Sequence, residues 1–194
     1  MTILARTERP RPVSPDSYKS IVTVEPPPPL LKRIASYRSL IICLVAVLVL
    51  DQGSKAWIRH HLPFPTYGGP NTIQVIPGFF DIVHVGNTGA AWSMLSGHSG
   101  LLAAVAALTL AAIYTWRKAL SLKTPLVQVS FGLMCGGIAG NLIDRVLFGY
   151  VVDFLDFHFG TFIYPTFNFA DSGICIGVAL YLWHSLKPEL TGHR

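Results

Sequence analysis

The chain has 194 residues, of which 51% are hydrophobic and only 13% charged, with a mean hydropathy of +0.48 and a formal net charge of +5. That balance excludes an ordinary soluble domain, and apolar runs of about 20 residues leave room for about four membrane spans and no large soluble domain. The basic residues behind the pI near 9.3 lie beside apolar runs rather than interleaved with aromatics, so they report orientation in a membrane and not nucleic-acid binding.

Residues 1–36 are rich in proline, Arg and Lys, with Pro10, Pro12, Pro15 and Pro26 to Pro29, and show no apolar periodicity. They read as a disordered or extended cytoplasmic tail, a linker in preference to a polyproline segment for a partner. They do not have the form of a cleavable signal peptide, because the basic region is too long and no small-residue cleavage site follows the first apolar run. Residues 37–187 form the expected membrane domain and 188–194 a C-terminal tail.

The first span is expected over Tyr37 to Ile58. Its purely apolar part, Leu40 to Leu50, is about half of what a bilayer needs, so Asp51 and Lys55 fall within or at the edge of the hydrocarbon. At i and i+4 they share a helix face and can pair. A structural ion pair is the favoured reading, with direct catalysis by Asp51 the alternative.

Residues 59 to 90 are the longest polar excursion. TIQVI, Pro77-Gly78 and FFDIVHV spell a β-hairpin with its turn at the Pro-Gly step, and Asn87-Thr88-Gly89-Ala90-Ala91 leads back to the membrane. The second span is expected over Gly100 to Trp116. Gly97-His98-Ser99-Gly100 before it matches the short pattern of rhomboid-type serine proteases, but a nucleophilic serine needs a histidine base. His158 is expected in a loop and His184 at the far end of the last span, so the pattern is read as a chance one.

Arg117, Lys118 and Lys123 form a basic loop. Together with the basic N-terminal tail and with Lys187 and Arg194, they place this loop and both termini in the cytoplasm. Residues 59–98 and 145–168 then face outward. The third span is expected over Leu126 to Ile143, where Gly132, Gly136, Gly140 and Asp144 follow one another at i+4 beside a second row of Gly137, Asn141 and Arg145. Such rows let a neighbouring helix approach closely and turn the polar residues into the bundle. The fourth span, Phe169 to Leu186, has a small pair at Gly173 and Gly177, with Asp171 on another side of the helix. Cys43, Cys135 and Cys175 lie inside apolar runs and suggest neither a disulfide framework nor a metal pair.

Topology brings Asp153, just beyond span three, and Asp171, at the start of span four, to one membrane surface. Two carboxylates held together share a proton, one serving as base and the other as acid, as in aspartic proteases. Such a pair needs neither metal nor cofactor. Asp156, one turn on if the stretch is helical, is an equally eligible partner by spacing, and solvated loop or helix-terminal acids are the bland alternative. A rival of another class is a small transporter in which Asp51, Lys55, Asp144 and Arg145 line an ion path.

The ordered set DQGSK, NTGAAWS, GGIAGNLIDR, VVDF and FNFADS resembles the lipoprotein signal peptidase family, the type II signal peptidases, over nearly all of residues 40–186. The resemblance implies a bacterial inner-membrane aspartic endopeptidase with four transmembrane helices and a small periplasmic β-cradle, which removes prolipoprotein signal peptides before the diacylglyceryl-modified cysteine. It assigns catalysis to Asp153 and Asp171. It places Asn87, Gly89, Asn141, Arg145, Asn168 and Ala170 at the substrate, and Asp51, Lys55 and Asp144 in structural support. The implied partners are the prolipoproteins and membrane lipids, with the chain itself a monomer. Trp92 stands where the family more often has phenylalanine, and the N-terminal tail is longer than usual. Leu40-Ile41-Ile42-Cys43 has the outline of a lipobox, but Ile42 occupies the small-residue position, so the enzyme is not expected to be its own substrate.

Overall fold

The computed structural model describes residues 29, 34–90, 94–120, 122 and 124–186. Most of the proline-rich tail, Trp92, Lys123, Lys187 and the C-terminal residues lie outside the described residues. The apolar runs fold as α1 (Arg38–His61), α2 (Ser99–Trp116), α3 (Pro125–Phe148) and α4 (Phe169–Leu186). All four are long and apolar enough to cross a membrane. Between them lie β1 (Ile73–Ile76), β2 (Phe80–Asn87), β3 (Val151–Phe159) and β4 (Phe162–Ile163).

α3 is the central helix and packs against the other three, most extensively against α4 and α1. Its glycines explain this, because the two rows serve two different helices. A Cβ on Gly136 would stand 2.7 Å from the Leu44 carbonyl oxygen and 2.9 Å from Val47 Cβ, both on α1. A Cβ on Gly137 would meet Ala170 O and, at 2.8 Å, Ile174 Cγ1, both on α4. Gly177 answers from α4, where a Cβ would lie 2.6 Å from the Ser130 carbonyl oxygen of α3. Backbones approach this closely only where there is no side chain.

The expected end of span three at Ile143 is too early. α3 continues to Phe148, because Asp144 is fully buried and paired while Val146 and Leu147 face outward at 70% and 65% exposure, as lipid-facing residues do. Gly149 ends the helix in the left-handed region at φ +78°, its N–H bonded to the Arg145 carbonyl at 3.1 Å. The hairpin forms where expected, with Gly78 of the Pro-Gly turn at φ +74°, but it is only half of the sheet. Residues 151–159 form a strand, neither loop nor helix. β3 pairs antiparallel with β2, giving the order β1-β2-β3-β4, with Asp81 opposite Asp156 and Val85 opposite Asp153. His158 therefore stands on a strand. Val152 and Phe154 pack on Ile58 and Leu62 at the end of α1, which seats the sheet on the bundle.

Beneath that junction lies a buried ion triad. Lys55, Asp51 and Asp144 are all 0% exposed. Lys55 Nζ lies 2.8 Å from Asp51 Oδ2, 3.0 Å from Asp144 Oδ2 and 2.9 Å from Asn141 Oδ1, so each of its three protons has an acceptor. Gln52 Nε2, within 3.1 Å of Asp51 Oδ2 and 3.0 Å of Asp144 Oδ1, adds a neutral donor between the same carboxylates. Each acid also accepts a backbone N–H from another element. Asp51 Oδ1 takes that of Ala170 at 2.9 Å, and Asp144 Oδ2 takes that of Val152 at 3.0 Å.

Two substitutions test this packing. Lys55→Met leaves two buried carboxylates without a counter-charge, at a cost of about 3–5 kcal/mol. A sharp loss of thermal stability in detergent is expected, and a wild-type melting temperature would show that the triad does not hold the fold. Gly137→Ala forces α4 away from α3 and costs about 1–3 kcal/mol, whereas Gly53→Ala on α1, with nothing within 4 Å of the new Cβ, leaves the melting temperature unchanged or slightly raised. Equal melting temperatures for the two would contradict the close crossing.

Candidate active site

FNFAD supplies one carboxylate through a helix cap. Asn168 stands just before α4, where its Oδ1 accepts the Asp171 N–H at 2.9 Å, while Asp171 Oδ2 accepts the Asn168 N–H at 3.3 Å. This is a reciprocal capping box with Asn and Asp in the two roles. It locks Asp171 into the first turn and leaves Oδ1 to accept from Asn141 Nδ2 at 2.8 Å. Of the two residues between them, Ala170 is pinned by Asp51.

The other carboxylate comes from the sheet. On β3 alternate residues face opposite sides, so Asp153 and Asp156, three apart, cannot serve one site. Asp153 is 2% exposed and turns toward α4. Its Oδ1 accepts from Asn168 Nδ2 at 2.7 Å and its Oδ2 from Asn87 Nδ2 at 3.0 Å. A single side chain, Asn168, thus touches both aspartates. Burial, and secondarily the charge of Asp171, push the Asp153 carboxyl up to about 7, against the pull of the two amide hydrogen bonds and of Lys55.

Asn87 is held in turn. Its Oδ1 accepts the N–H of Gly89 at 2.8 Å, closing an Asx turn, and Arg145 Nη2 donates to the Gly89 carbonyl at 2.8 Å. Asn87, Gly89, Asn141, Arg145, Asp153 and Asp171 all line one open cavity of about 490 Å³, continued by Ile174 and Cys175 of α4 and by Tyr164 to Phe167. Arg145 Nε is buried there without a partner among the described residues, a donor in reserve.

Not every expected residue faces this space. Asn168 and Ala170 are both 0% exposed and stand behind it, the first as a bracket between the carboxylates and the second under the cap. Asp51, Lys55 and Asp144 lie a layer deeper. Gln52 belongs with them, although the sequence reading passed over it inside DQGSK. Ser99 Oγ is buried without a hydrogen-bond partner among the described residues, and His98 Nδ1 lies 3.2 Å from the Ser96 carbonyl instead. That serine has no base, and the rhomboid-like alternative is not favoured. Of the four charges proposed for an ion path, Asp51, Lys55 and Asp144 form a closed triad and only Arg145 reaches the cavity, so that alternative is not favoured either.

The chain that carries this site is similar to known proteins. The signal peptidase II family profile matches residues 43–187. A lipoprotein signal peptidase of Symbiobacterium thermophilum is 38% identical over 154 residues, covering 79% of this chain and 97% of that one. Another, from Oleidesulfovibrio alaskensis, is 43% identical over 148 residues, 72% of this chain and 90% of that one. Two bacterial membrane enzymes solved by the in meso method, at 2.3 Å and 1.9 Å resolution, superpose with TM-scores of 0.71 and 0.65. They are 32% and 34% identical and cover 80% and 76% of this chain and 93% and 92% of their own. The family match runs from within α1 past the end of α4, and the chain belongs to the signal peptidase II family.

Proposed function

We propose that this multi-pass bacterial membrane protein removes signal peptides from prolipoproteins as an aspartic endopeptidase, hydrolysing the peptide bond before the diacylglyceryl-modified cysteine. The observation that carries the reading is the Asn168 bridge, which holds Asp153 and Asp171 at one cavity. One carboxylate, ionised, takes a proton from water as the oxygen adds to the scissile carbonyl carbon. The other, protonated, donates a hydrogen bond to the carbonyl oxygen and supports the tetrahedral intermediate. The proton taken from water then goes to the leaving nitrogen, the C–N bond breaks, and the pair is left sharing one proton again.

Asn87, Asn141 and Arg145, with the Gly89 turn, bind the substrate backbone; Asn168 positions both acids. The basic residues of the tails and of the α2–α3 connection put both termini in the cytoplasm, so the sheet and dyad stand on the outer side of the inner membrane. There a lipid-anchored substrate presents its scissile bond at the membrane surface, and one chain carries the whole cavity, which suits a monomer among lipids.

Cleavage of a diacylglyceryl-modified prolipoprotein in detergent is the direct test. Asp153→Asn and Asp171→Asn are expected to lower turnover by about 10²–10⁴-fold or more with folding intact, while Ser99→Ala cleaves normally. Near-normal turnover by either asparagine variant would remove the dyad assignment.

The pH profile supplies a second test. The pair works with one proton, and its loss from Asp153 near pH 7 predicts a fall in kcat/KM on the alkaline side of about 7. Asn87→Ala removes a hydrogen bond that holds this pKa down, so the alkaline limb should move to higher pH. A profile that stays put, or moves down, would contradict the assigned environment of Asp153.

A further inference from the structure

The face of the sheet turned away from the cavity carries a second cluster. Asp156 and His158 are two apart on β3 and share that face, and Asp81 of β2 stands directly opposite Asp156. The two carboxylate oxygens and the imidazole nitrogen lie within 4.8 Å of one another. His158 Nε2 is 2.9 Å from Asp156 Oδ2 and 3.7 Å from Asp81 Oδ2.

Like charges directly opposite across strands destabilise a sheet, and this pair is poorly solvated: Asp156 is 2% exposed. The His158 imidazole lies near only one oxygen of each acid. The other oxygens, Asp156 Oδ1 and Asp81 Oδ1, are both buried and have no hydrogen-bond partner among the described residues. Buried carboxylate oxygens left bare in this way call for a cation.

We propose that Asp81, Asp156 and His158 form a divalent metal site, best suited to Zn²⁺, that clamps β2 to β3 on the face opposite the catalytic cavity. Zn²⁺ takes both imidazole nitrogen and carboxylate oxygen as ligands, and three protein ligands leave a fourth position for water. Bonds of about 2.0–2.1 Å in a tetrahedral site place ligand atoms about 3.4 Å apart, and the observed 2.9 and 3.7 Å bracket that value. Calcium and magnesium, which prefer six or more oxygens or ordered octahedra of water, fit a histidine-containing set less well. The site lies three residues along β3 from Asp153, and its role is to hold the strand rather than to take part in the reaction.

The test uses the full chain in detergent, stripped with chelator and titrated with Zn²⁺, reading bound zinc per chain by elemental analysis together with the melting temperature. Wild type is expected to retain about one zinc and to gain roughly 5–10 °C at a hundredfold excess over Kd. Asp81→Asn, Asp156→Asn and His158→Gln should each lose both the zinc and the shift. His60→Gln/His61→Gln, altering the exposed pair at the end of α1, should keep both. Asp81→Asn and His158→Gln alter the more exposed ligands, so a folding failure of Asp156→Asn leaves the comparison intact. The proposal is overturned if wild type binds no stoichiometric zinc, or if His158→Gln binds as wild type does. It is equally overturned if zinc changes no melting temperature while His158→Gln lowers that of the metal-free protein, since a protonated imidazole would then be the neutralising group.

Discussion

The structure depends on how Lys55 is paired. An ammonium buried among two carboxylates and an amide carries a large desolvation penalty, which is offset only when every proton and lone pair finds a partner. Here the partners are drawn from four elements. Asp51 and Gln52 come with Lys55 from α1, and Asp144 and Asn141 from α3. Asp51 Oδ1 also accepts the N–H of Ala170 on α4, and Asp144 Oδ2, the oxygen that pairs with Lys55, that of Val152 on β3. Those two backbone groups immediately precede Asp171 and Asp153. The triad is therefore the geometric origin of the dyad, for each of its acids fixes the backbone one residue before one of the paired aspartates.

From the triad outward, positive charge passes to the site through neutral amides. Asn141 Oδ1 accepts from Lys55 at 2.9 Å and from Asn168 Nδ2 at 3.3 Å, while its Nδ2 donates to Asp171. Asn168 in turn donates to Asp153. An amide can accept on one side and donate on the other without adding charge. A carboxylate in place of either asparagine would add repulsion, and an apolar residue would cost Asp171 a donor at position 141 or Asp153 a donor at position 168. This explains why the surroundings of a carboxylate pair are built from Asn87, Asn141 and Asn168 rather than from further acids or bases.

Much of this was legible in the sequence. The helices follow from apolar runs, the i,i+4 relation of Asp51 and Lys55 announces a pair on one helix face, and the glycine spacing on α3 announces close neighbours. The hairpin shows in its Pro-Gly turn. What stayed hidden depends on partners distant in the chain. VVDFLDFHF is bounded by glycines and rich in β-branched and aromatic residues, yet its identity as a strand is decided by pairing with β2, about 70 residues earlier. Once it is a strand, period 2 separates Asp153 from Asp156, a choice that spacing alone left open. Asn168 and Asp171 carry the form of a capping box, but with asparagine and aspartate in roles more often held by Ser or Thr and Glu. The grip of Asp51 on Ala170 joins residues 119 apart, and no local pattern encodes it.

The electrostatic balance of the junction links fold to chemistry. Four carboxylates, Asp51, Asp144, Asp153 and Asp171, converge there with two basic side chains, Lys55 and Arg145. Lys55 is consumed by the deeper pair of acids, and Arg145 donates from Nη2 to the Gly89 carbonyl and, at 3.5 Å, from Nη1 to that of Asn141. The outer pair is thus left with amides and little direct positive charge. In a poorly solvated place that condition raises the cost of a second negative charge and favours one proton held between two carboxylates. The proton required by the proposed mechanism is the same one that the packing requires, so a shallow, undercharged junction of helix and sheet is suited to acid–base hydrolysis without any group brought in from outside.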